Sequence, residues 1–143
     1  ARNADNQLGR IERAGAVEPL VQLLTSENDE GKTEAAGALR ILARDDDNEI
    51  KIACAGAVEP LMHLLRTGDA AGKTQAAGAL SNLAINAENT IKIVRSGALE
   101  PLVQLLRTGD AAGKTQAAGC VWNLARNADN QLGRIERAGV RKN

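Results

Sequence analysis

A seven-residue block returns along this chain at a nearly fixed interval, and that interval leaves few folds open. Ala14-Gly15-Ala16-Val17-Glu18-Pro19-Leu20 recurs as Ala55 to Leu61, and again as Ser96-Gly97-Ala98-Leu99-Glu100-Pro101-Leu102. A further Ala-Gly pair stands at Ala138-Gly139, so the successive spacings are 41, 41 and 42 residues. A period of this size means a stack of helical units, none of which can bury its apolar face alone. Such stacks offer long surfaces to partners rather than closed clefts for catalysis.

Each unit divides at the same places. A short, mostly polar segment, such as Asn6 to Ala14 or Glu88 to Arg95, is read as a first helix. Gly15, Gly56 and Gly97 then break it, because a sharp corner needs backbone angles that glycine tolerates. The second helix carries Pro19, Pro60 or Pro101 in its first turn, where a missing N–H costs little. Its apolar residues fall at helical spacing: Val17, Leu20, Val21, Leu23 and Leu24 in the first unit, and Leu99, Leu102, Val103, Leu105 and Leu106 in the third. Thr67-Gly68-Asp69 and Thr108-Gly109-Asp110 supply N-caps for a third, longer helix. In the second unit it spans about 71–84, with Ala76, Ala77, Leu80, Leu83 and Ala84 on a buried stripe. Thr74, Gly78, Ser81, Asn82 and Ile85 form the opposite stripe.

The composition excludes several classes of function. Eighteen basic residues balance eighteen acidic ones, so no global field points to nucleic acid or an anionic membrane. One Trp without Phe or Tyr leaves almost no platform for stacking bases. Cys54 and Cys120 have no metal-ligand spacing and are read as small reduced core residues, and no cofactor motif is present. No apolar run approaches a membrane span, and the N-terminus lacks a signal-peptide core. The segment Gly68-Asp69-Ala70-Ala71-Gly72-Lys73-Thr74 superficially matches a phosphate-binding loop. Such a loop needs four residues between its glycines and a preceding strand; three residues and a helix stand here. His63, the only histidine, aligns with Gln22 and Gln104 and is read as a surface residue. Asp45-Asp46-Asp47 lacks the alternation of a calcium loop and is read as a solvated linker. No catalytic constellation emerges.

The order of short helix, glycine corner, GALEPLVQLL and then AAGALSNLA or AAGCVWNLA resembles armadillo repeats. HEAT repeats lack the short first helix and the corner at this spacing. The resemblance implies an all-α, right-handed armadillo-type α-solenoid forming one domain over residues 1–143. Its units are 5–45, 46–86 and 87–127, with the first helix of a fourth at 128–140. It also implies a non-enzymatic protein–protein interaction module, cytoplasmic or nuclear if natural.

Asn82 and Asn123 occupy equivalent positions on successive third helices, about 8–10 Å apart in a stack. An amide both donates and accepts, which suits an extended backbone, and the resemblance implies that role for the matching Asn. Trp122 is read either as an exposed anchor beside this row or as a boundary residue packing on the next unit. Ser81 and the glycines Gly78 and Gly119 complete the candidate groove, with Arg2, Arg40, Arg44 and Arg126 on or beside it and Glu34 the nearest carboxylate. An acidic or neutral extended peptide is the expected ligand.

Two departures from the resemblance matter. Gly37, Gly78 and Gly119 stand where importin-like arrays carry a Trp, and Ile41 stands where the first unit should present its Asn. Aromatic walls for lysine stems are therefore missing.

Residues 1–15 are identical to 125–139, and 64–78 to 105–119, which points to recent duplication or an engineered array. The repeat pattern is expected to leave complementary apolar faces at its two ends. Head-to-tail self-association is therefore the alternative function.

Overall fold

The computed structural model describes residues 6–137, and these are helical with no strand. The first unit contains α1 (Gln7–Arg13), α2 (Val17–Leu24) and α3 (Asp29–Leu42). The second contains α4 (Asp46–Cys54), α5 (Val58–Thr67) and α6 (Ala70–Leu83), and the third α7 (Ala87–Arg95), α8 (Leu99–Thr108) and α9 (Ala111–Arg137). Like helices stack on like, with α3, α6 and α9 forming the most closely packed layer.

The corners and caps form where the sequence places them. Gly15, Gly56 and Gly97 have φ of +92°, +88° and +88°, the left-handed region that side chains avoid. Three nearly identical corners give every unit the same entry into its second helix. The carboxylates of Asp69 and Asp110 accept the N–H of Gly72 and Gly113 at 2.8 and 2.9 Å, and Asn28 does the same for Gly31 at 3.0 Å. Each such cap satisfies a backbone donor that has no partner within the helix.

The core is aliphatic throughout. Ala76, Ala77, Leu80, Leu83 and Ala84 are fully buried, as their spacing predicts. Small alanines on the third helices let neighbouring backbones approach, while leucines from second and third helices fill the space between layers. Burying a leucine fully contributes about 1.5–3 kcal/mol, so Leu39, Leu61, Leu80 and Leu102 anchor successive units.

Amides join the units. Asn48 Nδ2 donates to two carbonyls of the preceding unit, Leu42 O at 3.0 Å and Leu8 O at 3.2 Å. Asn89 repeats the pattern with Leu83 O at 3.0 Å and Glu49 O at 3.2 Å. Each side chain satisfies a carbonyl at a third-helix end and one in the adjacent first helix. The connection between units therefore has defined polar partners.

Three expectations need correction. Asp45 is not part of a solvated linker: it is buried, its side chain caps α4 by accepting from Asn48 N at 3.1 Å, and Asp46 and Asp47 lie in the helix's first turn. Carboxylates there are favoured by the positive end of the helix dipole. Cys54 is exposed rather than a core residue, because it holds the position of Arg13 and Arg95 on the outer face, whereas Cys120 is fully buried. The first helix expected at 128–140 is not separate within the described residues, since α9 runs unbroken from Ala111 to Arg137.

Candidate functional site

The third-helix layer brings most of the predicted site residues onto one surface. Asn82 on α6 and Asn123 on α9 are both half-buried, and each is tied to the helix before it. Asn82 Nδ2 donates to Arg40 O at 2.7 Å, and Asn123 Nδ2 donates to Ser81 O at 2.8 Å. The same hand-over thus recurs at both junctions. These amides are held in orientation by bonds to the preceding third helix, Asn123 with a second, longer contact to Ser81 Oγ at 3.4 Å. Arg126 Nη2 donates to Asn123 Oδ1 at 3.1 Å, so the second amide also orients a cation.

Gly78 and Ser81 are buried rather than forming an open floor. The side chain of Arg40 lies across Gly78, where a Cβ would collide with its Cδ, and Gln116 Oε1 lies 2.9 Å from the same point. Gln75 similarly covers Gly37, its Oε1 3.4 Å from where a Cβ would stand. The close approach that explains these helix-interior glycines comes from side chains of neighbouring units. Gly119 has more space, with Ser81 Oγ 3.4 Å from the position of a Cβ. Gln75 and Gln116 were not singled out by the sequence reading. Their alignment one turn before Gly78 and Gly119, toward the preceding glycine, was the available signal.

Crowding leaves polar atoms without partners. Arg40 Nε and Gln75 Oε1 are buried with no hydrogen bond among the described residues. Arg40 therefore presents only part of its charge to the surface. Arg44 and Arg126 are exposed, while Arg2 lies outside the described residues.

Trp122 is 70% exposed on α9 beside Asn123. Asn127, also missed by the sequence reading, donates to Ala84 O at 2.6 Å and Thr90 Oγ1 at 2.8 Å. It marks the far edge of the surface by tying α9 to the α6–α7 connection.

The remaining chemistry is quiet. Burial pushes the Cys120 thiol up to about 12, which removes it as a nucleophile or ligand at neutral pH. Glu49 is pushed up to about 7, first by burial and then by Asp46 and Asp45. It lies in the first-helix layer, away from the Asn row. His63 is exposed, as its alignment predicts. No metal-holding group of His, Cys, Asp and Glu occurs among the described residues, and no helix there is long and apolar enough to cross a membrane.

Solved structures share this architecture. An engineered protein matches with 39% identity and a TM-score of 0.81, over 92% of this chain and 54% of that one. Computationally designed armadillo repeat proteins for modular peptide recognition match at 31% identity and a TM-score of 0.81, over 94% and 58%. A designed armadillo repeat protein in complex with the peptide (KR)4 matches at 28% identity and a TM-score of 0.78, over 96% and 62%. The chain therefore spans between half and two thirds of the length of these relatives. No curated protein matches it. The family model for the Armadillo/beta-catenin-like repeat matches three times, at 13–44, 45–85 and 86–126. Those matches run through all three corner glycines and both groove asparagines, and the chain belongs to the armadillo repeat family.

Proposed function

We propose that this chain is a non-enzymatic binding module whose third-helix layer holds an extended peptide of acidic or neutral character. The observation that carries this reading is the pair of pre-oriented amides. Asn82 and Asn123 each donate to the preceding third helix; Asn82 keeps a second N–H for a peptide carbonyl, whereas Asn123 Nδ2 also reaches Ser81 Oγ at 3.4 Å. An amide fixed in advance loses little entropy when it binds. Trp122 supplies an exposed aromatic anchor on the same helix, and Arg44 and Arg126 give the surface its sign. A relative is described with the basic peptide (KR)4; the arginines here favour the opposite charge. Two steps of about 10 Å between third helices span roughly six extended residues, so affinity is modest.

Trp122 is the only aromatic residue, and its emission reports directly on the groove. A fluorescence titration with acidic, neutral and basic decapeptides should show saturable change with the first two. Replacing both Asn82 and Asn123 by Ala should abolish it while the helical signal persists. Tighter binding of the basic peptide would refute the charge assignment, and no response to any peptide would remove the binding reading.

Head-to-tail self-association is a second reading, favoured by a different observation. Val58 and Met62 on α5 are 7% and 0% exposed, yet their equivalents Leu99 and Val103 on α8 are 46% and 40% exposed. Light scattering across a hundredfold concentration range separates an associating chain from a strict monomer.

A further inference from the structure

One sequence takes two conformations in this molecule. Residues 6–13 and 130–137 both read NQLGRIER. In the first copy Asn6 is extended, with φ −61° and ψ 96°, and caps the short helix α1 by accepting from Gly9 N. In the second, the same residues continue α9 without a break. Since the local sequence is identical, neighbouring structure decides between the two forms. The third helices of the first two units end at Leu42 and Leu83, and a first helix then packs beside the one before it. At the matching point, Leu124, α9 makes no such turn, and a groove of about 550 Å³ lies between α7 and the distal half of α9. Thr90, Ile91 and Val94 line one wall, and Asn127, Ala128 and Gln131 the other.

The internal junctions specify what fits there. Ile52 and Ile93, four residues before their corner glycines, are fully buried, whereas Ile11 at the same position in α1 is 46% exposed. On the opposite side, Ala53 is 6% exposed and its equivalent Val94 is 40% exposed. Ile11 thus offers the face that Ile52 and Ile93 bury at the internal junctions, and Val94 the face that Ala53 buries at the second of them.

We propose that the groove between α7 and distal α9 receives α1 of a second copy of this chain, with Ile11 covering Val94. This rests on the self-association reading and gives it a site and a register. The occupant is chosen by sequence: α1 carries the same eight residues that would form the next first helix if α9 turned after its third-helix portion. Polar partners agree as well. Asn48 and Asn89, each eight residues before a corner glycine, donate to Leu8 O and Glu49 O of the preceding first helix. Gln7 of the incoming copy holds that position, and Thr90 O is the matching acceptor. The contact is heterologous, so successive copies add in one direction.

The test uses the full chain with Ile11→Asp, Val94→Asp and, as a control on an exposed internal position, His63→Asp. Both interface sites are solvent-exposed in the single chain, so each variant should keep the parent's circular dichroism and melting. Sedimentation of the parent and of His63→Asp should show mass rising with concentration. Either interface variant alone should weaken association at least about tenfold, as expected from placing a charge where an aliphatic side chain is buried. An equimolar mixture of the two variants should form a one-to-one dimer, because one keeps an intact groove and the other an intact α1. A parent that stays monomeric removes the self-association reading and this proposal together. Association unchanged in both variants overturns the groove site alone. Loss in both variants without recovery in the mixture overturns the head-to-tail register.

Discussion

Replacing Glu49 by Gln should make the protein more stable at neutral and alkaline pH. Glu49 is 4% exposed on α4, and burial, followed by the charges of Asp46 and Asp45, raises its carboxyl from 4.5 to about 7. In the unfolded chain it ionises near its ordinary value. Between those two midpoints the folded protein holds a proton that the unfolded chain has lost. Stability from this group is therefore highest below about pH 4.5, falls as pH rises through the window, and reaches its full penalty above about 7. Full conversion at 1.36 kcal/mol per pH unit gives about 3 kcal/mol. Water reaching α4, a short surface helix, screens part of this, leaving about 1–2 kcal/mol. Thr90, the equivalent residue in the next unit, supports the reasoning: its hydroxyl donates to Ala84 O at 3.0 Å with no charge to bury. Urea midpoints for parent and Glu49→Gln at pH 4.5, 6 and 8 should diverge steadily, with the variant ahead by about 1–2 kcal/mol at pH 8. A difference independent of pH, or a variant less stable at pH 8, would refute the assignment of a buried carboxyl here.

Thiol reagents at pH 8 should label one cysteine in the native protein, at exposed Cys54, and a second only on unfolding, because Cys120 is buried with its thiol pushed up to about 12. Gly119→Ala should raise stability by about 0.5–1 kcal/mol through helix propensity, since only Ser81 Oγ at 3.4 Å meets the new methyl. Gly78→Ala should gain nothing in the same melt, because its methyl would displace the Arg40 side chain. Asp69→Ala should cost about 1 kcal/mol in urea unfolding, through loss of the 2.8 Å bond to Gly72 N.

Much of this architecture is legible in the chain, and most of the failures concern partners that lie in another unit. The corner glycines and the caps Asp69 and Asp110 are local devices, so residue type and spacing suffice to place them. Asn82 and Asn123 could be found by register, but their binding to Arg40 O and Ser81 O could not, because those partners lie 42 residues away. Gly78 stood out as an expense in a helix interior; what it accommodates, the Arg40 stem, belongs to another unit. Asp45 was misread since polar residues serve linkers and caps alike, and only the contact with Asn48 N distinguishes them. The fused α9 was beyond any local rule, given that its distal residues are the same as those of α1.

The amide staples have a consequence for how the molecule comes apart. The hydrogen bonds that Asn48, Asn89, Asn82 and Asn123 make between units each join neighbouring units, with partners up to 42 positions away. The chain therefore behaves as a short one-dimensional polymer whose links open singly, with terminal units fraying before the middle one. Amide hydrogen exchange should rank slowest in α5 and α6 and faster toward both ends. A ligand lying across Asn82 and Asn123 would act mainly on the second of the two links, slowing the release of the third unit while leaving α1 to exchange as before.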